Sequence, residues 1–358
     1  MKISLTSAVK HTGAMAERLG SPLRWRSFQA LLLLLGISIS LLLPWWLGGD
    51  GTVAMVVGFP ASLLLLMVAI AVVCWNINAA RLRLMLAGRA GHLGQTGALS
   101  IEMAAKFALC ATPGGSGGAA TLLWLLARRG YPPSRASAVF LVDQGCDMLF
   151  FTLILTLLLA LTLWGTTPGD LNWPHQALIE GALIGLVAVI LTLGLVVAFL
   201  PRLLRRQPSL HWPGPRRRRW LVRRLLRCRH ALVVTLRLPP HILISIFLLC
   251  CAHWLLRYSL LYLAVLGVGG HADWAWTFLV QMLSMAASQL SILPGGAGAA
   301  EVSVGALLLP VMDRDQAAAA VVIWRLVSYH LYLLAGAPVF ALSVSRLLSD
   351  RKRMTASP

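Results

Sequence analysis

Apolar residues gather along this chain in long windows, and the length of those windows predicts the elements. About twenty residues at 1.5 Å each cross roughly 30 Å of hydrocarbon as a helix. Six windows meet that requirement: Phe28 to Leu47, Val53 to Trp75, Ala136 to Trp164, Ala177 to Leu200, His241 to Gly267 and Gln316 to Ser345. Two other apolar stretches are interrupted in the middle, at Pro113-Gly114-Gly115-Ser116-Gly117-Gly118 and at Pro294-Gly295-Gly296-Ala297-Gly298. Proline followed by repeated glycine stops a helix. The expected fold is therefore an all-α polytopic membrane protein.

Composition agrees. Of 358 residues, 58% are hydrophobic and 12% charged, and the mean hydropathy is +0.78. Soluble domains carry about 25% charged residues, so a soluble globular chain is excluded. The formal net charge is nevertheless +19. Nucleic-acid binding would require a folded soluble face to carry those arginines, and the apolar windows leave none. The cysteines at 74, 110, 146, 228, 250 and 251 lack the paired spacing of a zinc site and are assigned as free thiols. The basic N-terminus before Phe28 looks like a signal peptide, but the window behind it is long enough to span and no small-residue cleavage site is evident.

The basic residues are an orientation signal. Of the 31, five precede the first window and three (Arg81, Arg83, Arg89) follow the second. Three more (Arg128, Arg129, Arg135) flank the third, twelve lie between Arg202 and Arg237, and four follow the last. All 27 fall on one side if the six spans alternate and each interrupted stretch returns to the side from which it entered. The opposite loops hold Asp50, Asp170, Asp273, Asp313 and Asp315, with Arg314 as their cation. Both termini are then cytoplasmic, in a bacterial-type inner membrane. The first interrupted stretch becomes a hairpin dipping in from the cytoplasm and the second one dipping in from outside.

The two PGGxG motifs lie half a chain apart. Each sits in a three-part unit, 53–164 and 241–345, with opposite entry sides, separated by the basic cytoplasmic loop 201–240. This is the pattern of inverted-repeat transporters, whose interrupted helices meet near the midplane and form the substrate site. Chance breaks in a glycine-containing membrane protein are the plain alternative. Each break also starts a helix inside the membrane, and its free N–H groups and positive dipole end attract anions, a lipid phosphate being the obvious one.

The stretch from Lys106 through Pro113-Gly-Gly-Ser-Gly-Gly118, followed by Tyr131-Pro-Pro-Ser-Arg-Ala136 and Asp143-Gln-Gly-Cys-Asp147, resembles the first motif region of the lysylphosphatidylglycerol synthase transmembrane family. Leu293-Pro-Gly-Gly-Ala-Gly-Ala-Ala-Glu301, with Trp324-Arg325 and Tyr329, is similar to the second. The resemblance implies a flippase-like membrane domain, which in the multiple peptide resistance factor proteins moves a lipid across the bilayer beside a separate cytosolic aminoacyltransferase domain. The 40 residues from Pro201 to Pro240 leave no room for that second domain. One departure is Asp143-Gln144, where the family usually has an acidic-Arg pair.

Charges inside hydrocarbon are costly and usually face a protein interior or a wet cavity. Seven qualify: Glu102, Lys106, Asp143, Asp147, Arg257, Glu301 and Arg325. Glu102 and Lys106 are spaced to pair along one helix face. Asp143 and Asp147 share a face and repel, which suits a proton or cation site, or a partner cation elsewhere, or burial against the hairpin glycines. Glu301, just after the second break, is placed to cap free N–H groups, or to pair with Arg325 as a gate. Arg325 and Arg257 are candidates for phosphate, which guanidinium binds bidentately, or are neutralised by the carboxylates. His253 and His330 fit core roles, and no histidine cluster suggests a metal.

The expected function is a lipid translocase acting by alternating access on an anionic head group. Its substrate-binding residues would be Arg325, Arg257, Glu301, Asp143, Asp147, Lys106, Gly114, Gly115, Gly117, Gly295, Gly296 and Gly298. No cofactor or metal is expected; the partners open to such a chain are membrane lipids and a lipid-modifying enzyme. The alternatives are a membrane-embedded enzyme acting on a lipid or polyprenyl phosphate, and a non-catalytic partner of a lipid-modifying synthase.

Overall fold

The computed structural model describes residues 22–86, 93–163, 237–289 and 291–356, with isolated helical positions between 181 and 195 and at 233. Among the described residues every element is helical. In chain order they are α1 (Pro22–Leu47), α2 (Gly51–Val57), α3 (Ala61–Leu86), α4 (Gln95–Ala111), α5 (Ser116–Arg128), α6 (Pro133–Leu163), α7 (Pro240–Gly267), α8 (Trp274–Ser288), α9 (Ala299–Leu308) and α10 (Arg314–Arg325). A single π-helical turn, Leu326–His330, then leads into α11 (Leu331–Ala356).

Four helices are long and apolar enough to cross a membrane: α3, α6, α7 and the composite Arg314–Ser345. A fifth is added if the bent pair Ala30–Trp46 and Gly51–Val57, turned by 118°, is one span. The window Ala177–Leu200 and the basic loop 201–240 lie largely outside the described residues. The expected window Val53–Trp75 is corrected. Gly58 and Pro60 break it, so a short helix precedes a span that starts at Ala61 and continues eleven residues past Trp75, to Leu86. Proline has no N–H and cannot continue a helix from its preceding turn.

That extension decides which residues face inward. Along α3 the buried positions are Met67, Ala71, Cys74, Trp75, Asn78, Ala79, Arg81, Leu82, Met85 and Leu86, whereas Leu65, Leu66, Val72 and Val73 are exposed. Steps of three and four mark one packed face. The other face is equally apolar, as a helix in contact with lipid must be. The composite Arg314–Ser345 is different in kind: 83% of its apolar window is buried, against 22–33% for the other three. Ala317, Ala318, Ala319 and Ala320 are all buried there, and small side chains of this sort let helix backbones approach closely.

The chain divides into two compact units. One comprises Met1–Ala69, Met103–Ala120 and Tyr258–Val344; the other comprises Ile70–Glu102, Thr121–Arg257 and Ser345–Pro358. In the first, Asp315 at the start of α10 caps α2, its carboxylate accepting from the N–H of Gly49 and, at 2.9 Å, from the hydroxyl of Thr52. In the second, Arg83 ties the end of α3 to the start of α4 by donating to Leu93 O and Gln95 Oε1, both at 3.1 Å.

Candidate functional site at the two helix breaks

Each PGG motif is a chain reversal. Gly114 and Gly115 have φ of 58° and 66°, Gly295 and Gly296 of 63° and 68°, and Gly298 of 81°. At Gly295 the need for glycine is twofold, because any side chain would also run into the ring of Tyr329. Gly117, in the first turn of α5, lies where a Cβ would be 2.8 Å from Ala108 O and 2.7 Å from Thr112 Cγ2, so a bare α-carbon lets α5 close against α4. Farther along the same pair, Arg129 reaches Ser100, so α4 and α5 run antiparallel.

The two breaks meet. Pro113 and Pro294 form an isolated antiparallel bridge; proline has no N–H to give, so residues beside them carry the pairing. Gly36 of α1 passes the same point, where a Cβ would lie 3.4 Å from Pro294 O. All of these residues belong to the first unit.

The breaks are built differently. The second is buried at Pro294, Gly296 and Ala297 and is stapled by charge. Glu301, fully buried, accepts from Gly298 N at 2.7 Å through Oε2 and from Arg325 Nε at 2.6 Å through Oε1. Arg325, 2% exposed, donates from Nη2 to Gly295 O at 3.2 Å, and its guanidinium lies 4.8 Å from the centre of the Tyr329 ring. Tyr329 donates to Pro294 O at 3.5 Å. Glu301 is thus the anion at the N-terminus of α9. The π turn belongs to this arrangement. It leaves the Arg325 carbonyl to His330, whose Nδ1 faces it at 3.1 Å and must donate. The first break is open, with Gly114 and Ser116 exposed. Among the described residues the N-terminus of α5 meets a neutral cap, Gly117 N donating to Thr112 Oγ1 at 2.9 Å. Lys106, half-buried on α4 one turn before Cys110, has no ion pair among the described residues.

A second charge cluster lies in the other unit. Arg81 Nη2 contacts Asp143 Oδ1 at 2.6 Å and Asp147 Oδ1 at 3.1 Å. The same Asp147 oxygen accepts from Trp254 Nε1 at 2.9 Å and from Cys250 Sγ at 3.2 Å. The cation that the two aspartates require is therefore Arg81, which the charge distribution along the sequence assigns to a cytoplasmic loop. That assignment is corrected, since its side chain is 2% exposed and points to the packed face of α3.

A family model described as the lysylphosphatidylglycerol synthase TM region matches residues 33–336. The chain belongs to that family. A UPF0104 membrane protein from Archaeoglobus fulgidus is 23% identical over 295 residues, covering 77% of this chain and 86% of that protein. The matched region of this lysylphosphatidylglycerol synthase TM chain contains both breaks, the Glu301–Arg325 pair and the Arg81 cluster.

The residues singled out in the sequence of this family member thus fall into two groups. Gly114, Gly115, Gly117, Gly295, Gly296, Gly298, Glu301, Arg325 and Lys106 lie in the unit of the breaks, and Asp143 and Asp147 in the other, where Arg257 stands half-buried one turn after buried His253. Arg81, Tyr329 and Trp254 were missed. For Arg81 a signal existed: continuing the inward stripe of Met67, Ala71, Cys74 and Asn78 by three residues lands on it.

Proposed function

We propose that this multi-pass membrane protein is an inner-membrane lipid translocase that holds an anionic head group at the junction of the two breaks. The observation that carries the reading is the pairing of Pro113 with Pro294, which brings two interrupted helices of half-chain spacing to one point, as substrate sites of inverted-repeat transporters require. In this reading the interrupted stretches are re-entrant hairpins from opposite faces, six spans surround them, and both termini are cytoplasmic.

The asymmetry of the breaks supports a division of labour. Glu301 already satisfies the second helix end, so Arg325 holds that break in shape. The first helix end, open and capped by a hydroxyl, is the one with unspent attraction for a phosphate, with Lys106 as its cation. Alternating access exposes that end to either leaflet in turn.

The test is movement of a fluorescent anionic phospholipid between leaflets of vesicles containing the purified chain. Lipid movement above that of protein-free vesicles is expected, slowed in Lys106→Gln while thermal unfolding is unchanged. No movement overturns the reading. Chemical conversion of the lipid without movement would replace it by a membrane-embedded enzyme.

A further inference from the structure

Helix α1 covers the second break with small side chains. Its buried positions are Gly36, Ser40 and Pro44, each four residues from the last, while Leu34, Leu35, Leu41, Leu42, Trp45 and Trp46 are exposed. The line continues to Gly48, where a Cβ would stand 2.8 Å from that of Ala318. At the other end Gly36 faces Pro294 and the Tyr329 hydroxyl, and Ile39 approaches Gly298, the residue before α9. Helix α1 therefore runs antiparallel to α10 and its π turn. Among the described side chains of α1, none larger than proline is buried. Close packing resists separation where large side chains interdigitate, whereas small ones let backbones touch along a smooth line. This contact can part without drawing large groups out of one another.

The polar contacts that hold α1 in place sit at its end. The Asp315 carboxylate accepts from Gly49 N–H and from the Thr52 hydroxyl, and a Cβ at Gly49 or at Gly51 would stand 2.7 Å from one of its oxygens. The turn after α1 is thus wrapped around one side chain.

A polar group waits inside the seam. Ser40 is 1% exposed, and its buried hydroxyl has no hydrogen-bond partner among the described residues. Its level follows from the helix directions. Gly36 and Tyr329 meet; Ser40 lies four residues after the one and Arg325 four before the other, so the hydroxyl is level with the Glu301–Arg325 pair. A buried hydroxyl without a partner is disfavoured. It can both give and accept a hydrogen bond, which suits the oxygens of a phospholipid head group.

We propose that the seam between α1 and the second break is the lateral opening through which a phospholipid head group reaches the junction of the breaks. Helix α1 moves aside as one wall, Asp315 is the latch that holds it closed, and Ser40 is the group that the head-group oxygens meet. Gly36 passes Pro294, so parting α1 uncovers the place where Pro294 pairs with Pro113. That the head group is then carried across rests on the translocase reading; the opening of the seam does not.

Single cysteines in a full chain lacking its native cysteines, placed in vesicles of anionic phospholipid, test the seam by reaction with a small water-soluble methanethiosulfonate. Ser40→Cys is expected to react slowly, and several-fold faster once Asp315→Asn is added. Leu42→Cys, on the exposed side of α1, should be unchanged by that addition. Thr52→Val removes only the hydroxyl from the latch and should act in the same direction, which keeps the test decisive where Asp315→Asn does not fold. No reaction at Ser40→Cys, a rate that neither latch variant alters, or an equal acceleration at Leu42→Cys overturns the proposal. Gly48→Cys with Ala318→Cys should form a disulfide under mild oxidation, arrest lipid movement and release it on reduction. Movement that continues through the closed disulfide overturns the seam alone. Absence of movement in the unlinked chain, with Ser40→Cys reacting as expected, overturns the translocase reading alone.

Discussion

Glu301 and Arg325 show what a buried charge does at a helix break. Both are removed from solvent, and between them they engage the N–H of Gly298 and the carbonyl of Gly295, two backbone groups that the break leaves without helical partners. Glu301→Gln leaves a buried guanidinium without its counterion, for which a loss of about 3–5 kcal/mol is expected; thermal unfolding in detergent reads it. Glu301→Leu combined with Arg325→Met should cost less than the two single losses added together, because no charge is stranded. Gly295→Ala is expected to destabilise by more than the roughly 1–2 kcal/mol of a left-handed alanine, since its methyl also meets the Tyr329 ring. That Glu301 and Arg325 are charges set among apolar residues is legible from the sequence around them. Their pairing depends on α9 and α10 being brought together, across 24 residues of chain.

At the scale of elements, the breaks were legible because proline and glycine act locally, on their own turn. The limits of α3 were less so. Hydropathy falls after Trp75, yet the helix runs on to Leu86, because Arg81 finds two carboxylates and its face of the helix stays inside the protein. The neighbouring Arg83 is exposed and ties α3 to Leu93 and Gln95: two arginines two residues apart lie on opposite faces of one helix, and only the rotation of that helix separates their roles. The short α2 owes its start to a residue far along the chain. Asp315→Asn should therefore lower the unfolding temperature and loosen α2 first, visible as faster hydrogen exchange at Thr52 and its neighbours than elsewhere in the same variant. The crossing of α1 at the second break gives another test. Gly36→Ala fits within ordinary contact distances of Pro294 and Tyr329 and should fold normally, whereas Gly36→Leu should separate α1 from the break and lower stability.

For the whole molecule, membrane residence follows from composition and from helices long enough to span, and it agrees with the family to which residues 33–336 belong. Orientation is a matter of where the arginines lie. Single cysteines in place of Arg129 and Asp313, introduced into a chain lacking its native cysteines, should react with impermeant reagents from opposite sides, Arg129 from the cytoplasm. Labelling of both from one side would remove the opposed hairpins. The sequence by itself determined the solvent, the helical class, the two proline–glycine breaks and most of the charges set among apolar residues, because each depends on the composition of about twenty neighbouring residues or on one proline and its glycines. Only the tertiary structure decided that the two breaks touch, that Glu301 neutralises Arg325, and that Arg81 leaves the loop to serve Asp143 and Asp147. Partners in a low-dielectric interior are chosen by how helices rotate and pack, which no local window records.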